Sequence, residues 1–422
     1  MNIAVISCAS LVVAVIVGGV ARVNVGVVAL GFAWLIGYYV VGLPVTDVVA
    51  GFPLGVATAL FGITLLFSQA HQNGTLDALT LQVLRVANGH RSIVPIIFFF
   101  IALVVATVGP GNIAAVALLA PLAMAVAGRT GISAFLMTVM VANGANAGAF
   151  SPFAPTGIIA NGLIAKQGLQ MHPWTQVYLP SLVAQTLIAL LAYVCFGGLA
   201  LWRSPCAAQH FTPVAVTTCN SPALNRSQWF TLGAIGALIV GVVVCKADIG
   251  FLAITLAAVV AALGMADGEA ALKAVPWDTI MMVCGVSVLV AIVETTGGMD
   301  VFTALLARVA APHTITGVIA LVTGALSAYS SSSGVVMPTF IPLVPDLIAT
   351  MGGGDPVAII SAINVGSHVV DVSPLSTLGA MCIAHAAAHE NRQRLFQALL
   401  LYSVSMAGVG AVVCYVVFGL LW

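Results

Sequence analysis

The sequence predicts an all-α polytopic membrane protein built as two inverted five-span repeats, with a re-entrant hairpin and a broken helix in each. Three observations carry that prediction. Of 422 residues, 61% are apolar and only 6% are charged; a soluble core cannot absorb that much apolar surface, whereas each membrane span takes about 20 apolar residues. The apolar runs are punctuated by 42 Gly and 19 Pro, which suits membrane helices that pack closely and break at chosen points. Finally, three blocks of the first half recur in the second half in the same order, the mark of an internal duplication.

The first block is GTLDALTLQVLRVANGH (74–90), which aligns with GMDVFTALLARVAAPH (298–313). Asp77, Arg85 and His90 fall on Asp300, Arg308 and His313 at a constant offset of 223. GNIAAVALLAPLAMA (111–125) aligns with SSGVVMPTFIPLVPD (332–346), placing Pro121 over Pro342. AFSPFAPTGIIANGL (149–163) aligns with DVSPLSTLGAMCIAH (371–385), placing Ser151-Pro152 over Ser373-Pro374.

In chain order, runs 3–20, 25–43 and 54–70 give three spans. The run at 3–20 lacks a basic leader and a cleavage site, so it reads as a retained span. Segment 74–90 mixes Leu and Val with Asp, Arg and His and reads as an interfacial helix. Runs 93–109 and 113–128 meet at the tip GPGN, and a Gly/Pro tip inside apolar sequence suits a hairpin that reverses within protein (93–128). A helix broken by Ser-Pro follows (131–165), and then a fifth span (177–201). These elements make up a first repeat, residues 1–201, and the polar stretch 202–228 is a linker loop. The second repeat, 229–422, runs through 229–246, 249–266 and 279–294, an interfacial helix 298–313 and a hairpin 314–350 with the tip SSSS (330–333). It closes with a broken helix 356–388 and a last span 396–421. Five spans are an odd number, so the second repeat is expected to be inverted relative to the first.

Charge orients this count. One side collects Arg22, Arg85, Arg91, Arg129, Arg203, Arg226, Lys273, Arg392 and Arg394, and the other only Lys166, Lys246 and Arg308. The positive-inside rule puts the first side in the cytoplasm and both termini outside, in an inner membrane. Cys206 and Cys219 share the linker loop, which this topology places in the cytosol as reduced thiols. Zero net charge and no basic cluster argue against nucleic acid as a partner. Walker A and G-x-S-x-G motifs are absent, so nothing here reads as an enzyme. His385 and His389 are spaced i, i+4 without a further ligand and read as a solvated helix end.

Chemistry concentrates at the tips and breaks. The first half offers Asn112 at its tip and Asn143, Asn146, Ser151 and Thr156 around its break. The second half offers Ser332 and Ser333 at its tip, then Asn364, His368, Asp371, Ser373, Ser376 and Thr377. A broken helix frees carbonyls for a cation and N–H groups for an anion, and the half-helix beyond the break adds a positive dipole end. Asp371 stands apart. A carboxylate at depth costs roughly 2.5–3.5 kcal/mol even on the mildest insertion scale, and its counterpart in the first repeat is Ala149. It is read as an ion-coupling group with His368, Asn143 and Asn364; the alternatives are a cap on the half-helix after Pro374 or a pair with His368.

Four stretches resemble the MatC-type malonate/dicarboxylate carriers of the ion transporter superfamily: 51–77, ALLAPLAMAVA (117–127), 143–169 and VVDVSPLSTLGAMCIA (369–384). That superfamily includes the divalent anion/sodium symporters. The resemblance implies a homodimeric elevator-type transporter whose hairpins and broken helices move against a scaffold, with 74–90 and 298–313 as linking arms. In the symporters a Ser-Asn-Thr at each tip contacts substrate and sodium. Here those places hold Gly111-Asn112-Ile113 and Ser332-Ser333-Gly334, so only Asn112 and Ser332 keep the pattern.

By this resemblance Asn112, Asn146, Ser151, Thr156, Ser332, Ser333, Ser373, Ser376 and Thr377 are expected to hold a small dicarboxylate. Asn112, Ser333 and Asp371 are the candidate sodium ligands, with protons as the other coupling ion and no cofactor. The alternative within the superfamily is an inorganic-ion carrier, for arsenite or for sodium/proton antiport.

Overall fold

The computed structural model describes residues 3–21, 23–75, 78, 91–203, 224–328, 330–387 and 390–420. Among them the chain is helical throughout, with no strand. In order the helices are α1 (Ile3–Ala21), α2 (Val25–Trp34), α3 (Val45–Ala50), α4 (Leu54–Gln72), α5 (Val94–Val108), α6 (Gly111–Thr130), α7 (Ala134–Gly148) and α8 (Pro155–Lys166). Then come α9 (Leu179–Cys195), α10 (Gly198–Arg203), α11 (Arg226–Val243), α12 (Ile249–Ala262), α13 (Gly268–Lys273), α14 (Trp277–Thr295) and α15 (Gly298–Val309). The chain ends with α16 (Ile315–Ser327), α17 (Met337–Phe340), α18 (Val344–Met351), α19 (Pro356–Val369), α20 (Thr377–Ala384) and α21 (Arg392–Cys414). Short π-helical turns extend α2 and α21 and lead into α9 and α17.

Six of these helical stretches are long and apolar enough to cross a membrane, and others are shorter and equally apolar. Their starts follow local chemistry. Asn225 and Gln228 form a reciprocal capping box on α11, Asp248 caps α12, and Asn391 caps α21. Proline, with no N–H to leave orphaned, opens α8 and α19.

The helices sort into two packing groups. In the first, α4 packs on α12, α2 on α14, and α1 on both α2 and α15. In the second, α5 packs on α7, α16 on α19 and α21, and α9 on α7, while α20 lies against α6. Two crossings in the first group are backbone-on-backbone. A Cβ on Gly285 of α14 would stand 2.0 Å from the Gly26 carbonyl oxygen of α2, and one on Gly62 of α4 would stand 2.4 Å from the Gly250 carbonyl oxygen of α12. Such approaches admit only glycine, and they gain dispersion contact where lipid offers no hydrophobic gain.

The second hairpin differs from the expected pair of straight arms. Pro338, Pro342 and Pro345 crowd its return arm, which proceeds as a π turn, α17, a 3₁₀ turn and α18. Each proline removes an N–H and crowds the preceding turn. The first hairpin returns on α6 unbroken despite Pro121. The expected arm 298–313 is the helix α15; its partner segment 74–90 lies outside the described residues except at 74, 75 and 78, as do Cys206, Cys219 and His389.

Candidate functional site

Two breaks and two tips meet in the second packing group. α7 ends at Gly148 and the chain turns through 149–154 before α8 begins; α19 ends at Val369 and turns through 370–376 before α20. Both turns are made the same way. The Ser151 hydroxyl accepts from the Phe153 N–H at 3.3 Å, and the Ser373 hydroxyl accepts from the Leu375 N–H at 3.2 Å, each a Ser-Pro turn closed by its own side chain. The half-helix then starts in contact with the turn. A Cβ on Gly157 would stand 2.0 Å from the Ser151 carbonyl oxygen, and one on Gly379 2.2 Å from that of Ser373.

The first tip reverses at Gly109 and Gly111, both at positive φ, where a side chain would strain the backbone. This sets Asn112 at the start of α6, buried, donating 2.9 Å to the Asn146 side-chain oxygen. The Asn146 amide in turn donates 2.9 Å to the carbonyl of His368. One chain of hydrogen bonds therefore joins the first tip, the first broken helix and the second broken helix. On its outer flank the Thr107 hydroxyl meets the Tyr178 hydroxyl at 2.9 Å.

At the second tip Ser331 caps the π turn by accepting from the Gly334 N–H. Ser332, buried, points at the second break. Its hydroxyl lies 2.7 Å from Asp371 Oδ1, 2.5 Å from the Ser327 hydroxyl and 3.0 Å from the Ser367 carbonyl. A hydroxyl carries one proton, and a carboxylate is the strongest of these acceptors; Ser332 donating to Asp371 leaves Ser327 to donate to Ser332. The loop behind Asp371 is closed by Ser376, whose hydroxyl donates to the Asp371 and Ser373 carbonyls.

These contacts fix the place of Asp371. It is not the cap of α20, since that place belongs to Ser376. Nor does it pair with His368, whose Nδ1 lies 2.9 Å from the Asn364 carbonyl and 3.0 Å from the Ser367 hydroxyl. The carbonyl can only accept, so Nδ1 bears a proton. The His368 ring packs edge-on against Phe150 with centroids 4.8 Å apart. Asp371 instead fastens the second break to the second tip.

Of the remaining expected residues, Thr156 is buried at the start of α8, Ser333 is half-buried on the tip, and Thr377 is exposed. Asn143 and Asn364 are fully buried a turn before their breaks, and neither side-chain amide finds a partner of hydrogen-bonding geometry, although Asn143 lies near the Tyr402 hydroxyl. Asn112, Ser333 and Asp371 make no hydrogen bond with one another; Asn112 faces Asn146, and Asp371 faces Ser332. Among the described residues no three His, Cys, Asp or Glu side chains cluster as metal ligands. Two contributors escape a sequence reading, Ser327 and Ser367. Ser327 sits five residues before Ser332, and its polarity inside an apolar run was the available signal.

Replacing Asn146 by Ala is expected to orphan the Asn112 amide, while the His368 carbonyl keeps the Asp371 N–H at 3.1 Å. Each unmet buried group costs about 1–3 kcal/mol, so the melting temperature of the purified protein should fall, and Asn146→Gln should restore only part of it.

Two similarities bear on this site. Residues 1–149 match the family model of the dicarboxylate carrier protein MatC N-terminus. The MatC match covers α1 to α7 with the whole first hairpin, and it ends where the first break begins. No protein of curated function matches the chain. Among solved structures the chain is similar to the YdaH transporter of Alcanivorax borkumensis, with 17% identity and a TM-score of 0.54 over 90% of this chain and 88% of that one. The two proteins share a fold, and at 90% of this chain it extends well beyond the MatC match.

Proposed function

We propose that the protein is a secondary active carrier of small dicarboxylates, malonate or a four-carbon diacid, coupled to sodium or protons. The observation that carries this reading is the pair of tip-to-break ties, Asn112–Asn146–His368 and Ser332–Asp371, which gather polar groups in an otherwise apolar protein. The MatC match over the first hairpin supports the substrate class. Half-helices α8 and α20 start at the breaks, and their first-turn N–H groups and positive dipole ends suit carboxylates without a fixed cation.

Asp371 supplies the reason for coupling. Its carboxylate and a bound anion about 4–8 Å away repel by about 2–4 kcal/mol at an effective dielectric near 20. A sodium ion or a proton at Asp371 removes that repulsion, so cation and dicarboxylate bind together. The architecture proposed is ten spans with two hairpins in two inverted repeats, 1–201 and 229–422. The matched Ser-Pro turns, the glycines that follow them at 157 and 379, and the paired glycine crossings support it. Movement of the second packing group against the first, as an elevator in a homodimer of the inner membrane, is the mechanism this reading favours. Both tips rest on the first group, Gly109 against Phe67 of α4 and Gly334 against Met282 of α14.

The test is uptake of labelled malonate and succinate by proteoliposomes of the purified protein, with sodium and proton gradients imposed separately. Accumulation driven by one gradient is expected. Absence of uptake of both acids under either gradient would sink the substrate and leave the inorganic-ion reading, for arsenite or sodium/proton antiport.

A further inference from the structure

An aromatic ladder runs beside the first break. Phe153, 4% exposed in the turn between α7 and α8, meets the Trp174 ring with centroids 5.8 Å apart, and Trp174 meets the Tyr178 ring at 5.6 Å. Both contacts are edge-to-face, the arrangement that ring quadrupoles favour. Trp174 and Tyr178 lie four residues apart on the π-helical turn Pro173–Tyr178, and the His172 N–H fastens its start by donating 2.6 Å to the Gln176 side-chain oxygen. The last rung is polar. The Tyr178 hydroxyl meets that of Thr107, in the last turn of α5, at 2.9 Å. Helical threonines elsewhere, such as Thr138, Thr323 and Thr339, return their hydroxyl to the carbonyl four residues back; Thr107 turns its hydroxyl to another element.

Up to this point α5 is held along α7 by two glycine crossings. A Cβ on Gly144 would stand 2.3 Å from the Phe99 carbonyl oxygen, and one on Gly148 would stand 2.3 Å from that of Leu103 and 2.9 Å from the Thr107 nitrogen. Those crossings stop where α7 ends, and the chain then reverses through Gly109 and Gly111 to reach Asn112. The Thr107–Tyr178 bond sits at that end point, two residues before the reversal. The second half lacks the ladder by sequence. In the aligned break Leu375 stands at the place of Phe153 and is 62% exposed, and at the offset of the aligned tips Ala328 stands at the place of Thr107. The duplicated motif therefore does not need this ladder, just as it does not need Asp371.

We infer that Tyr178 is a positioning residue of the carrier: through Trp174 and Thr107 it braces the first hairpin against the first break and so fixes where the tip presents Asn112. The inference rests on the proposed reading of the tips as dicarboxylate ligands. The brace is made of rings and hydroxyls and carries no charge. It holds the first tip whatever the coupling cation does, whereas the second tip is tied through the Asp371 carboxylate.

The test compares hydrogen exchange of peptides covering 103–113 and 330–336 in the purified full-length protein. Tyr178→Phe, which removes one oxygen, should speed exchange in 103–113 by about two- to tenfold, the worth of one hydrogen bond, and leave 330–336 as in wild type. Thr107→Val should do the same, and the two together no more than either alone. Thr107→Ser, which keeps the hydroxyl, should exchange as wild type. In proteoliposomes the half-saturating concentration of malonate or succinate, whichever the wild type carries, should rise by a similar factor in Tyr178→Phe and Thr107→Val. The maximal rate should stay, and Thr107→Ser should again be native. Exchange unchanged in both single variants, or additive in the pair, would make Trp174 and Tyr178 an interfacial aromatic belt only and overturn the proposal. Faster exchange with native half-saturation would overturn the positioning role. If the wild type carries neither acid, the proposed function fails, and the exchange arm alone still decides the brace.

Discussion

Asp371→Asn is expected to lower gradient-driven uptake more than tenfold in a protein that still folds. Asn keeps an oxygen that can accept from Ser332, whose hydroxyl is 2.7 Å from the native carboxylate, so the tie between tip and break survives while the charge is lost. With no charge left to neutralise, the cation loses its reason to bind with the anion. The proposed repulsion of about 2–4 kcal/mol between Asp371 and a bound anion corresponds to roughly 30- to 1,000-fold in occupancy. Ser332→Ala makes the opposite change, breaking the tie and leaving the charge. It should depress uptake and exchange alike, since it frees the tip without touching the coupling charge. The comparison is made in proteoliposomes, net uptake under a gradient against exchange at equilibrium. Native net uptake in Asp371→Asn would move coupling to the hairpin tips.

The second large effect is expected from one methyl group at each break. Gly379→Ala would place a Cβ 2.2 Å from the Ser373 carbonyl oxygen and 2.5 Å from that of Val372, and Gly157→Ala would place one 2.0 Å from the Ser151 carbonyl oxygen. The obstacle in each case is backbone, which cannot rotate aside, so the half-helix must back away from its turn. Overpacking of this kind costs about 1–3 kcal/mol or more, and here the displacement falls on the groups that form the site. Both variants should melt earlier and transport near background. Gly353→Ala and Gly233→Ala, where a Cβ meets open space, should behave as wild type. Thermal unfolding of purified protein alongside uptake per folded molecule separates the two losses.

Much of this arrangement is written locally in the chain. Two Ser-Pro pairs inside long apolar runs mark where helix must stop, because proline forbids the preceding turn and serine offers the turn its own hydrogen bond. Gly-Pro-Gly at 109–111 marks a reversal for the same reason. What no run of sequence discloses is partnership across the fold. That Asn146 reaches the His368 carbonyl depends on two elements 222 positions apart. The choice of Ser332 over Ser333 for Asp371 depends on which face a π-helical turn presents, just before Pro338 on the returning arm. A cap or a histidine pair was a sound local expectation for Asp371. The tertiary contact with the tip outcompeted both, since a charged acceptor gains most from a donor held in place by its own network.

If the tips and breaks hold the dicarboxylate, as proposed, a bound diacid shields the second tip from site-directed labelling. Ser333 is half-buried beside Ser332, so Ser333→Cys, in a background with the native cysteines replaced, puts a thiol on the tip and leaves the Ser332–Asp371 tie in place. The rate of maleimide labelling is then measured against increasing malonate or succinate, with and without the coupling cation. Protection is expected to be half-maximal at the concentration that half-saturates transport and to need the cation. Labelling indifferent to every dicarboxylate, in a variant that still transports one, would place the substrate elsewhere and contradict the proposal.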